Sequence, residues 1–171
     1  MMMERFSVLD ESGTVIGCAS RDECHSGTFL LHGVVHLLAF NDSGELLLQK
    51  RSTTKDIQPG KWDTSVGGHI HEGETVAEAL AREMAEELGI TGVSCQKLYT
   101  YIHESDIERE FVTTFRCVWN GPVVFPHEEI DEVGWFSFER IASLVGTGEL
   151  TPNFEQEWEK YQRWCRKHGG C

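Results

Sequence analysis

Glu83, Glu86 and Glu87 are spaced i, i+3 and i+4, so on a helical period their carboxylates share one face and repel one another. The only base in the same run is Arg82, one turn before Glu86. The acids also fall toward the C-terminal end of the segment, where the helix dipole disfavours negative charge. Three anions placed this way call for a cation. A hard divalent ion, Mg²⁺ or Mn²⁺, takes carboxylate oxygens, keeps several waters and bridges to phosphate oxygens. Such an ion polarises phosphorus and lowers the pKa of a bound water, which is hydrolytic chemistry. A solvated acidic face is the plainer account of a charge run on a helix.

The helix that must carry these acids is well marked. Thr75 with Glu78 forms a capping box, Val76, Leu80, Met84 and Leu88 make an apolar stripe, and Gly89 is a C-terminal stop. Before it, residues 5–9 and 14–18 read as a hairpin around Asp10-Glu11-Ser12-Gly13, followed by a looser segment through Arg21, His25 and Gly27. Residues 31–40 and 45–51 read as a second, core pair of strands around Asn41-Asp42-Ser43-Gly44. The pattern breaks from Ser52 to Trp62 at Pro59-Gly60, then returns to extended chain at 63–67. Strands follow at 93–103 and 109–119, a short one near 133–136, a helix at 138–145, and a last helix at about 153–167. That helix sets Phe154, Trp158, Tyr161 and Cys165 on one stripe, which reads as packing. Strands around one central helix, with helices at the end, imply an α/β chain whose sheet is covered on both faces.

The 171 residues, 40% of them hydrophobic, suffice for one domain spanning 1–171, with 1–27 as an N-terminal hairpin extension and 153–168 as a C-terminal helix. A net charge of −13 argues against a nucleic-acid partner, which needs distributed Lys and Arg. Six cysteines with no C-x-x-C spacing, and an opening without signal-peptide character, read as reduced thiols in a cytoplasmic protein. The longest apolar run, 28–40, contains His32 and His36 and is too short to span a bilayer, so no membrane is expected. A homodimer is one open option.

From Gly68 to Ile90 the order of residues resembles the Nudix box, G-x5-E-x7-R-E-U-x-E-E-x-G-U, at each defined position: Gly68, Glu74, Arg82, Glu83, Met84, Glu86, Glu87, Gly89 and Ile90. The resemblance implies the Nudix fold, an α/β/α sandwich around a mixed β-sheet, and hydrolysis of a diphosphate linked to another moiety. By it, Glu83, Glu86 and Glu87 bind metal, with a backbone carbonyl near Gly67 or Gly68. Arg82 orients a glutamate, and Glu74 secures the loop and the helix start.

A wider likeness covers roughly residues 5–120. With VLDESGTVIG, His25 and His32, the run QKRSTTKDIQPGKWDTSVGGH and the later ERE, the chain resembles the isopentenyl-diphosphate isomerase branch of that superfamily. The resemblance implies a second metal site of His25, His32, His69, Glu108 and Glu110, and diphosphate contacts from Arg21, Arg51 and Lys55. His nitrogen and carboxylate oxygen suit Mn²⁺ or Zn²⁺, and Arg and Lys complement phosphate. The chain departs from the branch where the isomerase cysteine belongs: an S-V-C-G-H context here reads Ser65-Val66-Gly67-Gly68-His69. Gly67 has no side chain to donate a proton.

The expected activity is metal-dependent hydrolysis of a nucleoside diphosphate derivative or a similar small organic diphosphate, with Glu86 or Glu110 as the general base. The alternatives are isopentenyl-diphosphate isomerase, a prenyl diphosphate hydrolase, and a non-catalytic metal-nucleotide sensor. Trp62, Phe125 and Trp135 are candidates for stacking a base, with packing as their other role.

Overall fold

The computed structural model describes residues 2–171. In chain order the elements are β1 (Arg5–Leu9), β2 (Val15–Ser20), α1 (Arg21–Cys24), β3 (Leu31–Phe40), β4 (Leu46–Arg51), β5 (Trp62–Asp63), β6 (Val66–His69), α2 (Val76–Leu88), β7 (Gln96–Glu104), β8 (Arg109–Val118), β9 (Ile130–Phe136), α3 (Phe138–Leu144) and α4 (Pro152–Lys167).

β3 is the centre of a nine-stranded mixed sheet. It is buried along its whole length, because it has a partner on both edges and helices over both faces. β8 runs parallel to it through ten paired positions, from Leu31 opposite Arg109 to Phe40 opposite Val118. On the other edge β6 pairs antiparallel from Val34 opposite His69 to Leu37 opposite Val66. β1 joins at Val8 opposite His32. The expected β3–β4 hairpin closes only at Phe40 opposite Leu46; β4 then leaves to pair with β9 and β5.

Side chains alternate across a strand, so β3 feeds two cores. Val35, Leu37 and Ala39 pack with Ala79, Leu80, Met84 and Leu88 of α2. Leu38 and Phe40 pack with Ile141 of α3 and with Phe154, Trp158 and Tyr161 of α4. This is the expected α/β/α arrangement. Burial of Leu80, Met84 and Leu88 stabilises the α2 contact by about 1.5–3 kcal/mol each.

α2 begins and ends where its residues dictate. Thr75 Oγ1 accepts from the Glu78 amide at 3.2 Å while Glu78 accepts from the Thr75 amide at 2.8 Å. Gly89 stops the helix at φ 64°, a left-handed conformation that glycine adopts without strain. The looser segment after β2 holds the one-turn α1, with its own Ser20–Glu23 capping box. β9 starts three residues before the expected 133, at Ile130.

The expectation of six reduced thiols does not hold. Cys165 and Cys171 are joined in a disulfide, while Cys18, Cys24, Cys95 and Cys117 are free. Cys171, six residues beyond Cys165, folds back to the end of α4, a closure that C-x-x-C spacing does not reveal. Among the described residues no helix is long and apolar enough to cross a membrane.

Candidate active site

Arg82 organises the acids of α2. Its Nε and Nη2 donate to Glu74 at 2.8 and 3.0 Å, its Nη1 to Glu83 at 2.6 Å and Glu86 at 3.3 Å, and Nη2 also to the His69 carbonyl at 2.9 Å. Glu74 in turn accepts from the His71 amide at 2.9 Å. The loop between β6 and α2, Glu83 and Glu86 are thus tied together by one planar, five-donor group.

The three acids sit at graded depth. Glu86 is largely exposed at 60%. Burial pushes the Glu83 carboxyl above its ordinary range despite the Arg82 contact. Glu87 is deepest: burial first, then repulsion from Glu83, pushes it up to about 8, although the Gly67 amide at 3.1 Å and Gln49 at 3.3 Å donate to it. Such a pair is stabilised as anions by a cation between them. Gly68 makes the approach possible, since a Cβ there would lie 2.0 Å from the Glu83 carboxyl carbon.

A second cluster lies across the same cavity. His25, at the end of α1, His32 on β3, His69 on β6 and Glu108 bring one ligand atom each within 4.8 Å of one another. The three imidazole centroids are mutually 5.3 Å apart, and Phe6 stacks on His69 at 4.2 Å. Their atoms converge without bonding one another. His32 Nε2, His69 Nε2 and Glu108 Oε2 are buried and lack hydrogen-bond partners, even though His25 Nε2 and Glu108 Oε2 approach to 2.7 Å. His32 Nδ1 donates to the Leu30 carbonyl at 2.9 Å, which leaves the Nε2 lone pair free for a ligand role. Burial holds His32 and His69 below the ordinary histidine range, hence neutral. Neutral imidazoles and orphaned donor atoms fit a transition ion. Glu108 precedes β8 by one residue yet reaches the cluster; Glu110 stands 3.8 Å from His69, opposite His32 in the sheet. Burial, then the neighbouring Glu108, pushes Glu110 up to about 7.

Glu83, Glu86 and Glu87, together with His25, His69 and Glu108, line one open cavity of about 900 Å³ with Arg21, Arg51 and Lys55. Each base already has an acidic neighbour: Arg21 pairs with Glu4 at 3.0 Å, Arg51 lies 3.6 Å from Asp63, and Lys55 meets Glu129. An anionic ligand must compete with these carboxylates. Among the described residues no Phe, Tyr or Trp lines this cavity. Trp62 is in the core against Phe136, Trp135 packs over the α2 side, and Phe125 faces His127. None of the three lines this cavity, in keeping with packing as the role of Trp62 and Trp135.

The NUDIX domain family matches residues 30–155. The chain belongs to the Nudix family of hydrolases. An uncharacterized Nudix hydrolase of Yersinia pestis is 34% identical over 152 residues, covering 89% of this chain and 82% of its own. The structure of DR0079 from Deinococcus radiodurans superposes with a TM-score of 0.80 at 24% identity, over 92% of this chain and 98% of that one. The Nudix domain of Shewanella oneidensis NrtR, complexed with ADP ribose, has a TM-score of 0.62 at 16% identity, over 77% and 86% of the two chains. At such identities these two likenesses speak to the Nudix fold.

Around the Nudix helix stand residues that the motif does not name. Gln49 spans from Glu87 to the Ser65 carbonyl, at 3.3 and 3.0 Å. His36 donates from Nδ1 to Glu157 at 2.9 Å, and Glu157, fully buried on α4, also accepts from Tyr99 and Tyr101 at 2.5 Å each. The available signal was an acid at 157 within the apolar stripe of the last helix, where a charge must find a buried partner.

Proposed function

We propose that this Nudix hydrolase cleaves the diphosphate linkage of a small organic diphosphate, such as a nucleoside diphosphate derivative, with Mg²⁺ or Mn²⁺. The observation that carries this reading is the convergence of Glu83 and Glu87, both raised by burial, with Glu86 on one cavity wall beside the Gly67–Gly68 backbone. Glu83, Glu86 and Glu87 would hold the ion, with the Gly68 carbonyl alongside, and the crowding of these carboxylates, Glu87 the most buried, supports that assignment. A divalent ion bound there supplies positive charge to the diphosphate and makes a water more acidic.

The remaining work falls to the chain. Arg82 restrains Glu83 and Glu86 through its Nη1. Arg21, Arg51 and Lys55 exchange their carboxylate partners for phosphate oxygens and fix the diphosphate. Water attacks one phosphorus, the bridging P–O bond breaks, and two phosphorylated fragments leave. The proton of the attacking water passes to Glu86 or Glu110. Glu86 is the accessible carboxylate, while Glu110 has a value near neutrality that suits a base. We read His25, His32, His69 and Glu108, with Glu110 at the edge, as the holder of a second ion, supported by their three orphaned atoms.

The test is a Mg²⁺ and Mn²⁺ activity panel of nucleoside diphosphate derivatives including ADP ribose, dinucleoside polyphosphates and prenyl diphosphates. Glu86→Gln and Glu87→Gln should each lower turnover by about a hundredfold or more with melting temperature retained. Undiminished activity in both overturns the assignment. Isopentenyl diphosphate converted to dimethylallyl diphosphate would mean isomerisation, and binding without turnover across the panel would mean a sensor.

A further inference from the structure

The four free cysteines have different surroundings. Cys18 faces Ser7 across the β1–β2 ladder and takes a hydrogen bond from Arg5 at 2.7 Å. Cys24, on α1, is fully buried beside Phe6, Val8 and Ala19. Cys95 and Cys117 face each other. β7 and β8 run antiparallel with Gln96 opposite Arg116; Cys95 comes one residue before that pair and Cys117 one residue after it. Both side chains turn to the α2 side of the sheet, into the cluster of Leu80, Met84 and Leu88. Directly opposed residues of an antiparallel pair keep their Cα atoms about 4.5–5.5 Å apart, and a disulfide spans roughly 4.4–6.8 Å. A bond between these two sulfurs therefore asks little of the backbone.

The two thiols are chemically unequal. Cys95 is half-buried next to the exposed Ser94, whereas Cys117 is buried on β8 beside Ala39 of β3. Contact with Cys117 holds the Cys95 thiol below its ordinary range; the same contact, then burial, pushes the Cys117 thiol up. The outer sulfur is thus the nucleophile and the inner one its protonated partner. The Met84 thioether at 3.8 Å and the Val93 carbonyl at 3.9 Å are too distant to hold the Cys95 sulfur in place.

We propose that Cys95 and Cys117 form a reversible modification site, in which a hydroperoxide oxidises Cys95 and Cys117 closes an intramolecular disulfide. With hydrogen peroxide, the Cys95 sulfur attacks one oxygen, the O–O bond breaks, and a water leaves with the Cys95 proton. Cys117 then attacks the resulting sulfenic acid, the S–O bond breaks, and a second water leaves with the Cys117 proton. The peroxide gains two electrons and the thiol pair loses two; a dithiol reverses the reaction. The bond would tie the strand that follows the Nudix helix to the strand beside β3. Neither cysteine lines the hydrolytic cavity, so the inference stands apart from the hydrolase reading.

The test uses the full chain carrying Cys171→Ser, which removes the C-terminal disulfide at an exposed position. The protein is reduced, freed of reductant, treated with a slight excess of hydrogen peroxide, alkylated and digested with trypsin. The expected product links the peptide Glu83–Lys97 to the peptide Cys117–Arg140 in a protein that stays monomer-sized on a non-reducing gel, and dithiothreitol undoes it. Melting temperature should rise by roughly 5–10 °C on oxidation. Cys95→Ser should abolish both the link and the rise, and Cys117→Ala should leave Cys95 as a sulfenic acid that dimedone captures. Both cysteines recovered alkylated after peroxide, or Cys95 joined to a cysteine other than Cys117, would overturn the proposal.

Discussion

The guanidinium of Arg82 meets Glu74 along one edge and Glu83 and Glu86 along another. Lysine offers a single point charge in place of that fork. Arg82→Lys is expected to lower turnover roughly 10–100-fold while melting falls by only a few degrees, read by steady-state kinetics beside calorimetry. Arg82 and its acids are legible in the sequence because helical spacing is local: residues one turn apart meet wherever the helix packs. The His36–Glu157 pair is not, since its partners are 121 residues apart. Burial works against both charges, yet the hydrogen bonds from His36, Tyr101 and Tyr99 hold Glu157 below its ordinary range, and Glu157 holds His36 above its own. A depressed carboxyl stabilises the fold above its unfolded value near 4.5 and ceases to as pH falls through the folded value. A raised imidazole stabilises below its unfolded value near 6.5 and ceases to as pH rises through the folded one. Glu157→Gln should cost about 3 kcal/mol, and its melting deficit against wild type should be greatest between those two values and shrink on either side.

Among the elements, the turn from β6 into α2 depends on two small features. Gly68→Ala would place a methyl 2.0–2.5 Å from Glu83, so the carboxylate must move. The expected result is loss of Mg²⁺-dependent turnover with the helix content by circular dichroism unchanged. Thr75→Ala removes the cap on α2 and should cost about 1 kcal/mol, seen as a shift of roughly 2–4 °C in Tm. The helix and its boundaries were readable because capping residues and a left-handed Gly89 act within a turn of the chain. The strands were readable as segments, but their partners were not. β3 is buried on both faces and so shows no period-two alternation, and the short turn after Phe40 implies a hairpin that the curl of the sheet opens after one pair. The pairing of β4 with β9 is decided by far-off residues.

At the scale of the whole molecule, folding gathers acids that disfavour one another in a chain of net charge −13. Mg²⁺ or Mn²⁺ at about 100 times its Kd should stabilise the folded state by about 2.7 kcal/mol, raising Tm by roughly 5–10 °C, and EDTA should reverse the shift. The same titration on Glu87→Gln should show a smaller rise. Family and fold class were legible because one continuous segment, Gly68 to Ile90, holds the motif; the cavity was not, because its lining is drawn from α1, β4, β5, β6, α2 and α4. The parallel register that sets His32 opposite Glu110 has a temporal consequence. During synthesis α2 emerges with its glutamates before β8 does, so a nascent chain at that stage bears the motif without Glu108 and Glu110. Only when β8 zips alongside β3 does Glu110 come opposite His32 and within 3.8 Å of His69, a long-range step that must follow synthesis of the helix.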